Sequence, residues 1–217
     1  MNQRLQKIWH NNSLTIIMLA LFLIFLVGQS ITGFEQYNEE QTEHQQHVIT
    51  YGEYLGSAHF VEAVFENWES EFLQMSMYVL LTVFLVQRGS AESREPGAGT
   101  TPLRVKRNSP RLSKIKGFGR ILYENSLFLA LFALFIMSFF LHAAGGAANA
   151  CEEAMQHHAQ CYSTLEYIGT SQFWFESFQN WQSEFLAVAS LVVLSIFLRQ
   201  KDSPESKAVT DPNSKTG

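Results

Sequence analysis

SLTIIMLALFLIFLVGQSITGF, residues 13–34, runs for 22 residues without a charge. A helix of ~20 apolar residues crosses the ~30 Å hydrocarbon of a bilayer, so this stretch reads as a membrane span. A soluble fold rarely needs so long an uncharged run. Asn125 to Cys151 is uncharged too, if His142 is neutral, with an apolar core at Leu127–Leu141. Phe72–Gln87 and Phe185–Leu198 are shorter uncharged runs. At about 1.5 Å per residue neither spans alone. Each has to begin earlier, in NWESEF (67–72) or NWQSEF (180–185), if it crosses.

Those two hexapeptides belong to a longer self-similarity. Shifting the chain by 113 residues aligns 12–93 with 125–206 without a gap, and 29 of 82 pairs are identical. NSL recurs at 12–14 and 125–127, and FLVQRGSAES (84–93) is matched by FLRQKDSPES (197–206). The pattern reads as a tandem duplication. It also argues against a signal peptide at residues 1–33, because the matching segment lies mid-chain where no signal peptide operates. Two spans per copy make the copies parallel, related by an axis along the membrane normal.

Charge sets the orientation. The chain holds 15 Lys and Arg and a formal net charge of −5. The cations fall before residue 8, between Arg88 and Arg120, and after Leu198. The stretches 35–71 and 147–184 contain none and are rich in glutamate. The positive-inside rule places the N-terminus, the middle linker and the C-terminus in the cytoplasm and both acidic loops outside.

The expected architecture is therefore all-α and integral to a membrane: four transmembrane helices as two parallel two-span repeats, each with an outer amphipathic helix. Residues 1–93 form the first repeat, with spans at about 13–34 and 68–87. Residues 94–120, with Pro96, Pro102 and Pro110 among Gly and Ser, read as a basic disordered linker. Residues 121–206 form the second repeat, with spans at about 125–147 and 181–199, and 207–217 read as a disordered tail. Within each outer loop, YLGS (54–57) and YIGT (167–170) offer a glycine turn and then an N-cap, Ser57 or Thr170. Phe60, Val64, Trp68 and Phe72 follow at helical spacing, and Phe173, Phe178, Trp181 and Phe185 do similar work in the second copy.

Polar residues at membrane depth are costly and mark candidate sites. Asn67 and Glu71 share a helix face, as do Asn180 and Glu184, and the two glutamates could meet across the pseudo-two-fold axis. The competing reading puts both at the hydrated interface beside their tryptophans. His142 stands where the first copy has Gln29, and such a residue more often hydrogen-bonds between helices than binds a ligand. Cys151 and Cys161 lie in the second outer loop, where a disulfide, free thiols or a metal site are all open. His44, His157 and His158, near Glu39, Glu40, Glu152 and Glu153, are weak metal candidates, since no CxxC or HExxH is present.

The combination of NSL opening an apolar span, a glutamate-rich loop, YLGSAHFVEAVFENWESEFLQM (54–75) and FLVQRGSAES (84–93) resembles a family of small bacterial membrane proteins known only as a domain of unknown function. The likeness covers both repeats and implies an integral protein of the bacterial inner membrane. It brings no catalytic or binding residue. HAAGGAANA (142–150) is where the second copy departs from the pattern.

No nucleophile elbow, phosphate loop or dinucleotide fingerprint is present, so no enzyme and no cofactor is expected. The basic linker lacks interleaved aromatics, which argues against nucleic acid. Its partner is the lipid bilayer, with an anionic-lipid contact through 88–120 as one reading and a bare topology signal as the other. The oligomeric state is unreadable. Three functions remain open: a structural or interaction protein with an acidic, aromatic outer face; a small proton or cation transporter or channel using Glu71 and Glu184; and a periplasmic-face metal or redox sensor.

Overall fold

The structure is a computed structural model that describes residues 3–99, 101, 104–156 and 160–217. All regular elements among them are helical. In chain order they are α1 (Gln3–Glu43), α2 (Tyr51–Tyr54), α3 (Ala58–Phe84), a 3-10 turn (Arg111–Lys114), α4 (Phe118–Glu124), α5 (Ser126–Gln156), α6 (Thr164–Ile168) and α7 (Ser171–Phe197). The chain divides into two compact units, Met1–Val61 and Glu62–Gly217, so the boundary falls inside α3.

Among the described residues, three helices are long and apolar enough to cross a membrane: Arg4–Glu43, Ser126–Met155 and Ser171–Phe197. They present apolar side chains outward, with Leu14 at 75% and Phe25 at 69% exposure. That surface suits lipid and would be costly in water. α1 is 41 residues long, about 60 Å at 1.5 Å per residue, so it overruns the expected 13–34 at both ends. α3, the fourth expected span, has 27 residues but carries Glu62, Glu66, Glu69 and Glu71 in its first half. Its acids dilute the apolar run. They also build the polar cluster taken up with the candidate site.

α3 and α7 each run unbroken from their first turn into their apolar stretch. Ser57 Oγ accepts the Phe60 N–H, and Thr170 Oγ1 accepts the Phe173 N–H, which supplies partners to otherwise unpaired first-turn amides.

In the first unit, α2 is closed by a capping box. Thr50 Oγ1 accepts the Glu53 N–H, and the Glu53 carboxylate takes the Thr50 N–H at 2.7 Å. Asn38 ties the end of α1 to this turn through both polar atoms of its amide, 3.0 and 2.9 Å from the Ile49 backbone. Tyr54 is buried beside Phe34 and Tyr37, with its hydroxyl 3.2 Å from His59 Nδ1.

In the second unit, the same parts recur 113 residues on. Ser163 and Glu166 form the capping box of α6. A disulfide between Cys151 and Cys161 stands where the first unit uses Asn38. Gly33 faces the ring of Tyr54 and Gly146 the ring of Tyr167, each too closely for a Cβ.

The described stretches directly after α3 and α7, 85–99 and 198–217, carry no helix, yet side chains hold them in turns. Gln87 N–H donates to Ser93 Oγ, and Gln200 N–H to Ser206 Oγ. The Arg94 guanidinium bonds the Val83 carbonyl and Lys207 Nζ the Ile196 carbonyl, supplying partners to helix-end acceptors. The basic stretch read as disordered contains the 3-10 turn, and α4 begins at its end.

Candidate functional site

Glu62, Glu66 and Glu69 stand at i, i+4 and i+7 on α3, which puts them on one face. That face turns toward the other helices of the second unit, and Glu62 and Glu69 are buried. His142 on α5 is fully buried. α7 adds Glu176, Asn180 and Trp181, at i, i+4 and i+5, and α6 adds the buried Tyr167.

These side chains bond one another. His142 Nδ1 lies 2.7 Å from Glu69 Oε2, and Trp181 Nε1–H donates to Glu69 Oε1 at 3.0 Å. On the other side of the ring, His142 Nε2 is 3.4 Å from Glu176 Oε2. The Tyr167 hydroxyl donates to Glu176 Oε2 at 3.0 Å and lies 3.3 Å from Glu62 Oε1. The Asn180 amide donates to Glu66 and to the Glu176 carbonyl. The Phe173 ring stacks on the imidazole at 4.8 Å and 29°.

Close backbone approach makes this possible. A Cβ on Gly145 would stand 2.7 Å from the Glu62 backbone nitrogen, so only glycine lets α5 meet α3 there. A Cβ on Gly146 would collide with the Tyr167 ring and stand 2.8 Å from Glu62 Oε1. GG at 145–146 is therefore what seats the carboxyl and the phenol.

The electrostatics are unbalanced. Four carboxyl groups surround one imidazole, and burying an unpaired carboxylate is expensive. Burial pushes the Glu62 carboxyl up to about 7, with Glu176 adding to the rise. Burial also drives the Tyr167 phenol upward, reinforced by Glu62 and Glu176, so it stays a neutral donor. His142 thus has a carboxyl oxygen at each ring nitrogen, Glu69 at Nδ1 and Glu176 at Nε2. An N–H on Nε2 would satisfy the 3.4 Å contact with Glu176, and a bound cation would be the other way to fill it. Oxygen atoms of Glu62 and Glu176 and a nitrogen of His142 lie within 4.8 Å of one another.

Of the residues singled out in the sequence, Asn180 joins this cluster. Asn67 is exposed and returns its amide to the Ala63 carbonyl. Glu71 is exposed, and Glu184, half-buried, lies within its electrostatic reach. Cys151 and Cys161 are bonded to each other. His44 is exposed, while His157 and His158 lie outside the described residues. His142 does hydrogen-bond between helices, to Glu69 of α3. Sequence reasoning follows residues that recur, and so misses Glu62, Glu66, Glu69 and Glu176. Their mates 113 positions away are Phe175, Gln179, Gln182 and Ala63. Ionisable residues that break the duplication are the signal that points to them.

Long apolar helices carrying a buried ionisable cluster define a class: a helical, membrane-associated protein with a polar site built among its helices. Residues 5–217 match the family described as Domain of unknown function (DUF6766), and the chain belongs to that family. It matches no curated protein and no solved structure.

Proposed function

We propose that the chain is a multi-pass protein of the bacterial inner membrane that binds a small cation at the outer edge of the bilayer, without catalytic turnover of its own. The observation that carries this reading is the fully buried His142, held by Glu69 on one ring nitrogen and facing Glu176 with the other. Excess carboxylate around a single imidazole calls for a positive guest. Intramembrane ionisable groups commonly mark ion sites.

The distribution of Lys and Arg supports cytoplasmic N- and C-termini, with α3 entering from the outside as a fourth span. His142, late in α5, then shares the outer level with Glu62–Glu69, early in α3. The basic stretch 88–120 lies on the cytoplasmic side, where it meets anionic lipid headgroups. The acidic, aromatic outer face remains a surface for interaction with other proteins. For the cation, the cluster around His142 is favoured over Glu71 and Glu184, because Glu71 is exposed.

A ligand that binds only the folded protein raises its melting temperature by mass action. Purified full-length protein in detergent is to be melted across Na+, K+, Mg2+, Ca2+, Mn2+ and Zn2+ at constant ionic strength. At least one cation raises the midpoint in the wild type and not in His142→Ala. A midpoint indifferent to all of them refutes the reading.

A further inference from the structure

Resting on that reading, we infer that the guest is one divalent first-row transition-metal ion, ligated by Glu62, His142 and Glu176, with Glu69 as the positioning residue behind the imidazole. Metal-bound histidines almost always donate their other ring N–H to a carboxylate or carbonyl, which fixes the tautomer and raises ligand basicity. Glu69 stands in the accepting position beside His142 Nδ1, and itself accepts the Trp181 indole N–H. A surface histidine has no need of so complete a support. The imidazole is also clamped by the Phe173 ring, which fixes the direction of Nε2.

The ligand atoms come close to what a metal needs. They lie within 4.8 Å of one another. Bonds of about 2.1 Å in a tetrahedral site give a ligand-to-ligand edge of ~3.4 Å, so a contraction on the order of 1 Å, within reach of carboxylate rotamers, closes the set. The Tyr167 hydroxyl lies between the two carboxyl groups, donating to Glu176 Oε2 at 3.0 Å with Glu62 Oε1 3.3 Å away. Two hydroxyls near the ligands, Ser138 one turn before His142 and Ser177 beside Glu176, are buried without a protein partner among the described residues. Neither reaches a ligand carboxylate directly, so each has bonding capacity left for a water. The Glu176 side chain keeps 20% exposure while His142 has none, so entry is past Glu176.

The donor set discriminates. Ca2+ takes 6–8 oxygens, more than two carboxylates and a phenol supply. Cu(I) favours soft thiolates and thioethers, and Cys151 and Cys161 are spent on each other. One imidazole with two carboxylates suits Zn2+, Mn2+ or Fe2+. Residues 113 positions away offer no second set: Gln29 and Ala63 replace His142 and Glu176, and Phe175 replaces Glu62. The stoichiometry is therefore one ion per chain.

The test titrates chelator-treated, full-length protein in detergent with Zn2+, Co2+ and Mn2+, with excess Mg2+ and Ca2+ as competitors. One ion per chain binds, undisturbed by the competitors. His142→Ala, Glu62→Gln and Glu176→Gln each weaken binding by roughly 100-fold or more, and Glu69→Gln by roughly 10–100-fold, the range for a supporting carboxylate. Glu69→Gln leaves the stoichiometry at one. Glu71→Gln changes nothing. Pulsed EPR of Mn2+ on the wild-type protein detects a directly bound imidazole nitrogen, a readout that depends on no variant folding. Binding unaltered by His142→Ala, or bound Mn2+ without a coupled nitrogen, overturns the inference. A melting response to Na+ or K+ with no transition-metal binding also overturns it, yet leaves the cation reading standing. Silence toward every cation removes both.

Discussion

His142 Nδ1 sits 2.7 Å from Glu69 Oε2, and neither side chain has any exposed surface. A buried pair of this kind ties the two helices that carry it, because removing one member strands the other. Glu69 has a further dependant, the indole N–H of Trp181.

Glu69→Ala is therefore expected to destabilise more than an ordinary surface glutamate substitution. It leaves the buried His142 ring nitrogen and the half-buried Trp181 indole N–H without their partner, at about 1–3 kcal/mol for the buried group. Denaturation of the detergent-solubilised protein by a graded denaturant measures it. Glu71→Ala, at an exposed position, shifts stability by no more than ~0.5 kcal/mol. Equal effects for the two would remove Glu69 from its structural role.

Gly145→Ala and Gly146→Ala test the close approach. Overpacking of this kind costs about 1–3 kcal/mol. Gly28, where an added methyl would meet nothing within 4 Å, is the internal control. Gly28→Ala is neutral or slightly stabilising, since Ala is the better helix former by about 1 kcal/mol. Thermal midpoints of the three variants decide. A neutral Gly145→Ala would mean that α3 and α5 leave room for a methyl between them.

The capping boxes give a pH dependence of known sign. The Thr50 amide and then its hydroxyl hold the Glu53 carboxyl below the usual range. The Ser163 hydroxyl and then its amide do the same for Glu166. A depressed acid stabilises the fold above its unfolded value, and that contribution fades as pH falls through the folded value. The caps therefore persist at neutral pH and open only in acid, below the pH where a free glutamate titrates. Side-chain carbon shifts of Glu53 and Glu166 in detergent micelles follow this directly. Midpoints equal to that of a free glutamate would contradict it.

Cys151 and Cys161 are ten positions apart in sequence. Closing a loop of about that length contributes roughly 2–3 kcal/mol in the chain-entropy view. Cys151→Ser with Cys161→Ser is expected to lower the melting midpoint and to loosen the start of α6. Asn38→Ala makes the matching, smaller change before α2, on the order of 1–2 kcal/mol for two backbone hydrogen bonds. Proteolysis of the two loops compares them in one experiment.

How much of this is legible in the sequence can be traced residue by residue. The apolar runs of 13–34 and 125–147 are strong signals, since lipid leaves a chain few alternatives to a helix; α1 contains the first and α5, from Ser126, all but the first residue of the second. Ser57 and Thr170 announce the starts of α3 and α7 because an N-cap is a local interaction. The cluster is not legible in the same way. Glu62 and Glu69 look like the solvated face of an amphipathic helix until Gly145 lets α5 approach them. That approach is a long-range packing event with no local period. The duplication also draws attention to Asn67 and Glu71, which recur, and away from His142 and Glu176, which do not.

Lys207 has its amine against the carbonyl oxygens of Gly89, Ile196, Asn213 and Lys215 and is 4% exposed. An acylating reagent has no path to that nitrogen, and an acyl group has no room once there. In a covalent footprint of the primary amines, Lys201 and Lys215 take label while Lys207 stays unmodified until the polypeptide is denatured. The timing of its labelling becomes a clock for the release of the last segment.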